Sequence, residues 1–451
     1  MNRHSPRMVR ICPAPQHLED FRAEAALDVK SFDDQIACLR RANLMLPGGW
    51  AAVMAREGYD VFETIANDAK LQETWARENK ITPDPSGVDV GIDILIAQLQ
   101  NIQPDVIFIY AGAFVLLSRD VRERMRAVCH KDVLITGLWG DELPAIGGSY
   151  TAFLGDLDFV FCANSSYEKK MVEAGIPAQV LGNCFDDTIS YTKPAVKSRD
   201  LIFSGMTGYG YPDHIRRYEL LKVLMSRTPL EIWTKEPRIP VVSLLFGRPV
   251  VWVLRRLPSG ILRVLKTLAR GLGLHKVARA MELGISMRQS SDTAKREMGG
   301  LFHPKKNYFI GKKSLHSSYL ERVNGMLPDC SDYYSLLAGA RLVLNIHRDE
   351  DADFGNIRCF EVTGLGSCLV TDRGTELAEF FDIENDIVTF ESADECVEKV
   401  LQLLSQPSEI KRISDNGRRA TLKYHSVAAR GKTIAETLQM LHNAAHSGRA
   451  E

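Results

Sequence analysis

Between Asn345 and Glu361 the chain gathers side chains suited to an anionic, hydroxyl-rich ligand: Asn345, His347, Arg348, Asn356 and Arg358 around Gly355, closed by Glu361. Guanidinium and carboxamide groups can donate to a diphosphate, and one fixed carboxylate can accept from ribose hydroxyls. His347 is the titratable group at the head of this loop and a candidate catalytic residue.

These groups need rigid elements behind them. Arg341 to Ile346 is apolar and branched, as expected of a strand buried on both faces of a parallel sheet. The polar loop His347 to Asn356 then leaves the carboxyl end of that strand, where open α/β sheets bind ligands. Cys359 to Leu365 reads as a short helix carrying Glu361, Gly364 and Gly366 let the chain turn, and Ser367 to Thr371 is the next strand.

Composition sets outer limits. At 451 residues, 45% hydrophobic and 25% charged, the chain is large enough for two domains with separate cores. With 56 Lys and Arg against 57 Asp and Glu, no overall field recommends nucleic acid as a partner. Nine cysteines without CxxC spacing argue for reduced thiols in a cytoplasmic protein, against a disulfide framework and against a zinc site. The N-terminus lacks the apolar core of a signal peptide. No DxD triplet lies in a supporting strand context, so neither a metal nor another cofactor is expected.

Along the chain, Met8 to Cys12 reads as a first strand, Ser31 to Leu46 as helical, and Gly48, Gly49 and Trp50 as the opening of a helix that Gly58 ends. Tyr59 to Ile65 returns as a strand. Helix Ile92 to Leu99, the strand from Val106, helix Arg119 to Cys129, and strands Val133 to Leu138 and Phe159 to Cys162 keep a βαβ rhythm. Asp141 follows a strand's carboxyl end and is the candidate base for an acceptor hydroxyl, with Glu142 or His17 able to serve instead. The first domain closes near Val180 to Asn183, and Lys193 to Asp200 crosses to the second. There Leu201 starts a strand that runs into a glycine-rich loop, with Ser204 and Gly205 placed to approach a phosphate and helix Ile215 to Met225 behind them. Leu230 to Thr234 is the next strand.

The rhythm breaks from Pro237 to Met281, which has no acidic residue and alternates bases with large apolar groups. Past Pro258 the apolar positions share one helical face, as in an interfacial helix, and each base near an anionic leaflet adds about 1 kcal/mol. Residues 238–281 therefore suit an anionic membrane surface. The other reading is a helical insertion packed on the second domain with its bases solvated. Beyond it, Asp332 to Ala340 is helical, Glu376 to Phe381 a short helix, Ile387 to Phe390 a strand and Asp394 to Leu404 a helix. The tail is a helix, a break at Gly417 and a longer helix.

The runs LNIHR, GNIRCFE and GLGSCLVTD resemble the donor-binding segment of glycosyltransferases with the GT-B fold, particularly the group related to the spore-maturation protein CgeB. The likeness covers 319–440 and, more diffusely, 90–235. It implies that Glu361 binds the nucleotide ribose and that Asn345, Arg348, Asn356 and Arg358 line the donor pocket. Many retaining relatives carry a second acid that would fall at Asp353, here a shorter side chain. A Phe-x-Gly-like loop matches Phe203 to Gly205, with Arg216 or Arg217 entering the next helix, and the family's C-terminal His and Arg match His425 and Arg430.

The expected architecture is α/β, with two Rossmann-like doubly wound domains facing a cleft and a basic amphipathic helical insertion in the second. Residues 1–198 form the acceptor-side domain, 199–420 the nucleotide-sugar domain with its insertion at 237–318, and 421–451 a helix crossing back. The expected activity is metal-independent transfer of a sugar from a nucleotide-sugar donor to a glycan or glycolipid acceptor, in the cytoplasm or at the inner face of the plasma membrane. A non-catalytic membrane-associated scaffold with this fold, or a nucleotide-sugar epimerase, are the alternatives.

Overall fold

The computed structural model describes residues 5–14, 18–42, 44–45, 47–82, 89–110, 113–139, 154–207, 215–234, 323–325, 330–347, 355–374 and 376–447. The chain divides into two units. The larger, Met1–Asp141, Tyr150–Lys235 and Ser314–Glu451, holds every element below, whereas the smaller, Glu142–Ser149 with Glu236–Lys313, lies outside the described residues. The expected basic insertion falls outside them too.

Branched apolar runs become parallel strands. β1 (Arg7–Cys12), β2 (Asp60–Ile65), β3 (Val106–Tyr110), β4 (Leu134–Trp139), β5 (Phe159–Cys162) and β6 (Ala178–Val180) form one six-stranded sheet in the order β2-β1-β3-β4-β5-β6. β7 (Arg199–Ser204), β8 (Leu230–Trp233), β9 (Val323–Gly325), β10 (Ala340–Asn345), β11 (Cys368–Asp372) and β12 (Val388–Phe390) form a second, ordered β12-β11-β10-β7-β8-β9. In the second sheet the chain runs outward from β7 to β9, then returns to β10 on the other side of β7. The β7/β10 boundary is therefore a switch point, where the carboxyl ends of an open α/β sheet leave a crevice for a ligand.

Both faces of that sheet are covered, because successive strand residues point to opposite sides. Leu201, Phe203, Leu342 and Leu344 pack on one side with helices Ile215–Arg227 and Ala393–Ser405. Ile202 and Val343 pack on the other with helices Cys330–Ala338 and Ile357–Gly364. The last helix, Val427–Ser447, belongs with the first sheet, where Ile434 and Leu438 join Trp50, Val53 and Phe108 in one core. No helix among the described residues is long and apolar enough to cross a membrane.

Inside the first sheet, Arg10 of β1 is fully buried. It donates to Glu63 of β2 at 2.7 Å and to the Pro47 carbonyl at 3.1 Å. Its guanidinium also lies 4.9 Å from the Trp50 ring and 4.8 Å from the Tyr110 ring. Arg40 reaches the second oxygen of Glu63.

Two local expectations are corrected. The helix expected over 31–46 spans only Phe32–Arg41, capped by Ser31, which accepts from the Asp34 amide. Gly417 breaks nothing, since helix Pro407–Tyr424 runs through it and the chain turns at His425 and Ser426. A Cβ on Gly417 would stand 2.4 Å from the Asp386 carbonyl oxygen, so the glycine lets backbone approach helix. Gly364 ends its helix just before the chain turns, and the Phe185 ring stands 2.4 Å from where a Cβ would be.

Gly417→Ala separates the two readings. A glycine that merely interrupted a helix would be improved by alanine by about 1 kcal/mol. Here overpacking against Asp386 should dominate, with a net loss of about 1–3 kcal/mol in urea unfolding. A more stable variant would refute the close-approach role.

Candidate active site

The carboxyl ends of β7 and β10 lie side by side, and the candidate residues are built on them. Ser204 ends β7, and Gly205 follows at φ +149°, a conformation that favours glycine, with its amide donating to the Trp233 carbonyl at 3.0 Å. Ser204 is 2% exposed, and its hydroxyl has no hydrogen-bond partner among the described residues. The indole N–H of Trp233, opposite Ser204 on β8, is also buried and unpartnered. Such groups carry a desolvation cost until something bonds them.

Arg217, near the start of the helix after β7, donates to the Ile346 carbonyl at 2.7 Å and the Met206 carbonyl at 3.3 Å. It ties the two strand ends together. Arg216 is exposed.

Asn345 ends β10 with its amide donating to Thr371 Oγ1 at 3.1 Å and its oxygen accepting from Asn356 Nδ2 at 3.1 Å. The two carboxamides expected to reach a ligand thus bond to each other and form the floor. His347 is corrected in the same way. It is 3% exposed, with Nδ1 2.7 Å from Asp372 and its backbone amide donating to that carboxylate at 3.0 Å. Nε2 faces the thiol of Cys359 at 3.9 Å. Burial opposes a charged imidazole, but the Asp372 hydrogen bond and the contact with Cys359 outweigh it and raise the pKa to about 10. His347 is thus held from inside the protein, at the head of the loop, by Asp372.

Arg358 and Glu361 sit on successive turns' faces of helix Ile357–Gly364, three residues apart, and meet at 3.3 Å. The Arg358 guanidinium donates to the Ser204 carbonyl and lies 5.0 Å from the Tyr333 ring. Tyr333 donates to Glu361 Oε2 at 2.8 Å. Burial pushes the Glu361 carboxyl above its ordinary range, against the opposing pull of Arg358 and Tyr333. This buried cluster joins β7, the helix before β10 and the helix after it.

Gly355, at the end of the loop, accepts from Asn183 Nδ2 at 3.1 Å, a contact reaching across from the end of the first sheet. The structure therefore brings together Ser204, Gly205, Asn345, His347, Gly355, Asn356, Arg358 and Glu361. Arg348, Asp353, Asp141, Glu142 and His17 lie outside the described residues. Tyr333, Asp372, Asn183 and Arg217 complete the constellation. Only Arg217 carried a signal in the sequence, as a basic residue entering the helix after the glycine-rich loop.

Two doubly wound parallel sheets, with donors and one carboxylate gathered at a switch point, define the GT-B class of architecture. Residues 301–436 match the model of the glycosyl transferase-like family. No curated protein sequence matches the chain. Among solved structures, the chain is similar to HepE of Anabaena in complex with UDP and glucose, at TM-score 0.53 and 12% identity over 96% of this chain and 100% of that one. The same protein in complex with UDP-glucose gives 0.52 and 13% over 96% and 100%. Sucrose-phosphate synthase of Thermosynechococcus elongatus gives 0.51 and 10% over 97% and 100%. At these identities the likeness speaks to the fold. Together with the family match, it makes the chain a glycosyltransferase with the GT-B fold.

Proposed function

We propose that the chain transfers a sugar from a nucleoside diphosphate donor to a hydroxyl-bearing acceptor, a glycan or glycolipid, and that it belongs with the CgeB-related enzymes. The observation that carries this reading is the Arg358–Glu361–Tyr333 cluster beside the unpartnered Ser204 hydroxyl, at the switch point of the second sheet. HepE, similar in fold, was solved with UDP-glucose. Residues 199–420 hold the donor in this reading, residues 1–198 receive the acceptor, and 238–281 rest on an anionic membrane surface.

Glu361 accepts from ribose hydroxyls, and Arg358 with Arg348 neutralises the diphosphate. Asn345, Asn356 and His347 hold the loop that carries them. In the transfer, the bond from the anomeric carbon to the diphosphate oxygen breaks and its electron pair leaves with the nucleoside diphosphate. A bond to the acceptor oxygen forms, and Asp141 takes the hydroxyl proton. Positioning and charge stabilisation in the cleft supply the rate.

Glu361→Ala should weaken binding of the preferred nucleoside diphosphate by about 1.5–3 kcal/mol, the worth of hydrogen bonds to a charged group. Calorimetric titration with UDP, GDP, ADP and CDP measures this. Unchanged affinity for the best of the four would remove Glu361 from the donor site.

A further inference from the structure

The start of the last helix carries a cation that has no counter-charge among the described residues. Arg430 lies in the first turn of Val427–Ser447, and no carboxylate pairs with it among the described residues. Its Nη2 donates to His425 Nδ1 at 2.8 Å, and its Nε is buried without a partner. His425 cannot supply charge. The Nε2 of its ring lies 2.8 Å from the Phe380 carbonyl, which can only accept, so Nδ1 is the ring's lone-pair side. Burial, with Arg430 beside it, pushes the ring's pKa down to about 4.

Arg430 lines a cavity of about 30 Å³ whose wall is largely apolar, with Trp50, Phe108 and Leu181, and which also meets Asn183, Asp186 and Ile357. Two of these belong to the donor site's surroundings. Asn183 bonds the Gly355 carbonyl, and Ile357 opens the helix that bears Arg358 and Glu361. The Asp186 carboxylate on the cavity wall is engaged by the Gly49 amide at 2.9 Å and by the Thr188 amide and hydroxyl at 3.0 and 2.6 Å. Gly182 makes room for the guanidinium, since a Cβ there would stand 2.8 Å from Nη2.

A half-buried guanidinium whose one polar contact is a neutral imidazole, and whose Nε is unbonded, is stabilised by an incoming anion. Arg430 stands in the first turn of a 21-residue helix, the end that carries partial positive charge. We infer that Arg430 is a binding residue for a phosphoryl group of a substrate, held at the mouth of this cavity beside the donor loop. The cavity has room for roughly two water-sized groups, which admits phosphoryl oxygens and excludes a sugar ring. The group belongs either to the diphosphate of the donor or to a phosphate on the acceptor, and the inference rests on the sugar-transfer reading above.

Calorimetry on the full chain compares wild type, Arg430→Gln and Arg430→Lys with UDP, GDP, ADP and CDP, with the matching nucleosides, and with inorganic phosphate. If the donor is the source, Arg430→Gln weakens the best diphosphate by about tenfold or more while nucleoside affinity stays within about twofold, and Arg430→Lys falls between. If the acceptor is the source, diphosphate affinity is kept and thermal protection by millimolar inorganic phosphate is lost in Arg430→Gln and retained in Arg430→Lys. Equal loss for nucleoside and diphosphate marks a structural role and overturns the inference, as does no change with any probe. Should the wild type bind no nucleoside diphosphate, the sugar-transfer reading fails by itself, and the phosphate arm still decides the role of Arg430.

Discussion

Replacing Glu63 with alanine should destabilise the protein by about 3–5 kcal/mol, because Arg10, fully buried in the first sheet, would lose the carboxylate that it meets at 2.7 Å. Arg40, partly exposed, can turn to water when Glu63 is lost, but Arg10 is hemmed in by Trp50 and Tyr110. Urea unfolding of the variant measures the loss, and a change below about 1 kcal/mol would show that the pair contributes little. A double variant, Arg10→Met with Glu63→Leu, should recover most of the stability, since apolar groups of similar volume often match or exceed a buried ion pair.

Asp372→Asn should cost a similar 3–5 kcal/mol at pH 7, and this loss should depend on pH in a defined direction. The His347 imidazole binds its proton more tightly in the folded chain, at a pKa of about 10 against 6.5. The unfolded chain therefore releases the proton first as pH rises. The stabilisation is complete below about pH 6.5 and disappears as pH climbs through about 10. The gap between wild type and Asp372→Asn should be widest near pH 6.5 and narrow toward pH 9.5. A gap of constant size over that range would mean that His347 stays neutral and that Asp372 serves only as a hydrogen-bond acceptor for the backbone amide.

The strands were readable because parallel sheets buried on both faces demand runs such as Val106–Tyr110 and Ala340–Asn345, and few other elements tolerate them. Glycine was less readable. Gly205 does sit in a turn, but Gly417 lies inside a helix and Gly364 at a helix end, each where a neighbour comes too close for a side chain, and a lone glycine in a sequence looks the same in either case. The site was legible as a cluster and illegible in its orientation. A polar residue at a strand's end can face a ligand or bond inward, and the partners that decide this for His347 and Glu361 stand 25 and 28 residues away. For Gly355 the partner is 172 residues away, just past the last strand of the first sheet. Arg430 could be noticed in the sequence only by resemblance, because the lack of a counter-charge among the described residues shows only once the chain is folded.

The brace that Arg217 makes between the Met206 and Ile346 carbonyls has a bearing on energetics. With that brace, and with Asn345, Asn356 and His347 bonded to one another or to Asp372, the floor of the crevice is frozen before any ligand arrives. The rotamer entropy of these side chains is lost during folding, so a ligand binding over them gives up chiefly its own freedom. Loosening the floor, as in Arg217→Ala, would transfer that entropic loss from the folding step to the association step.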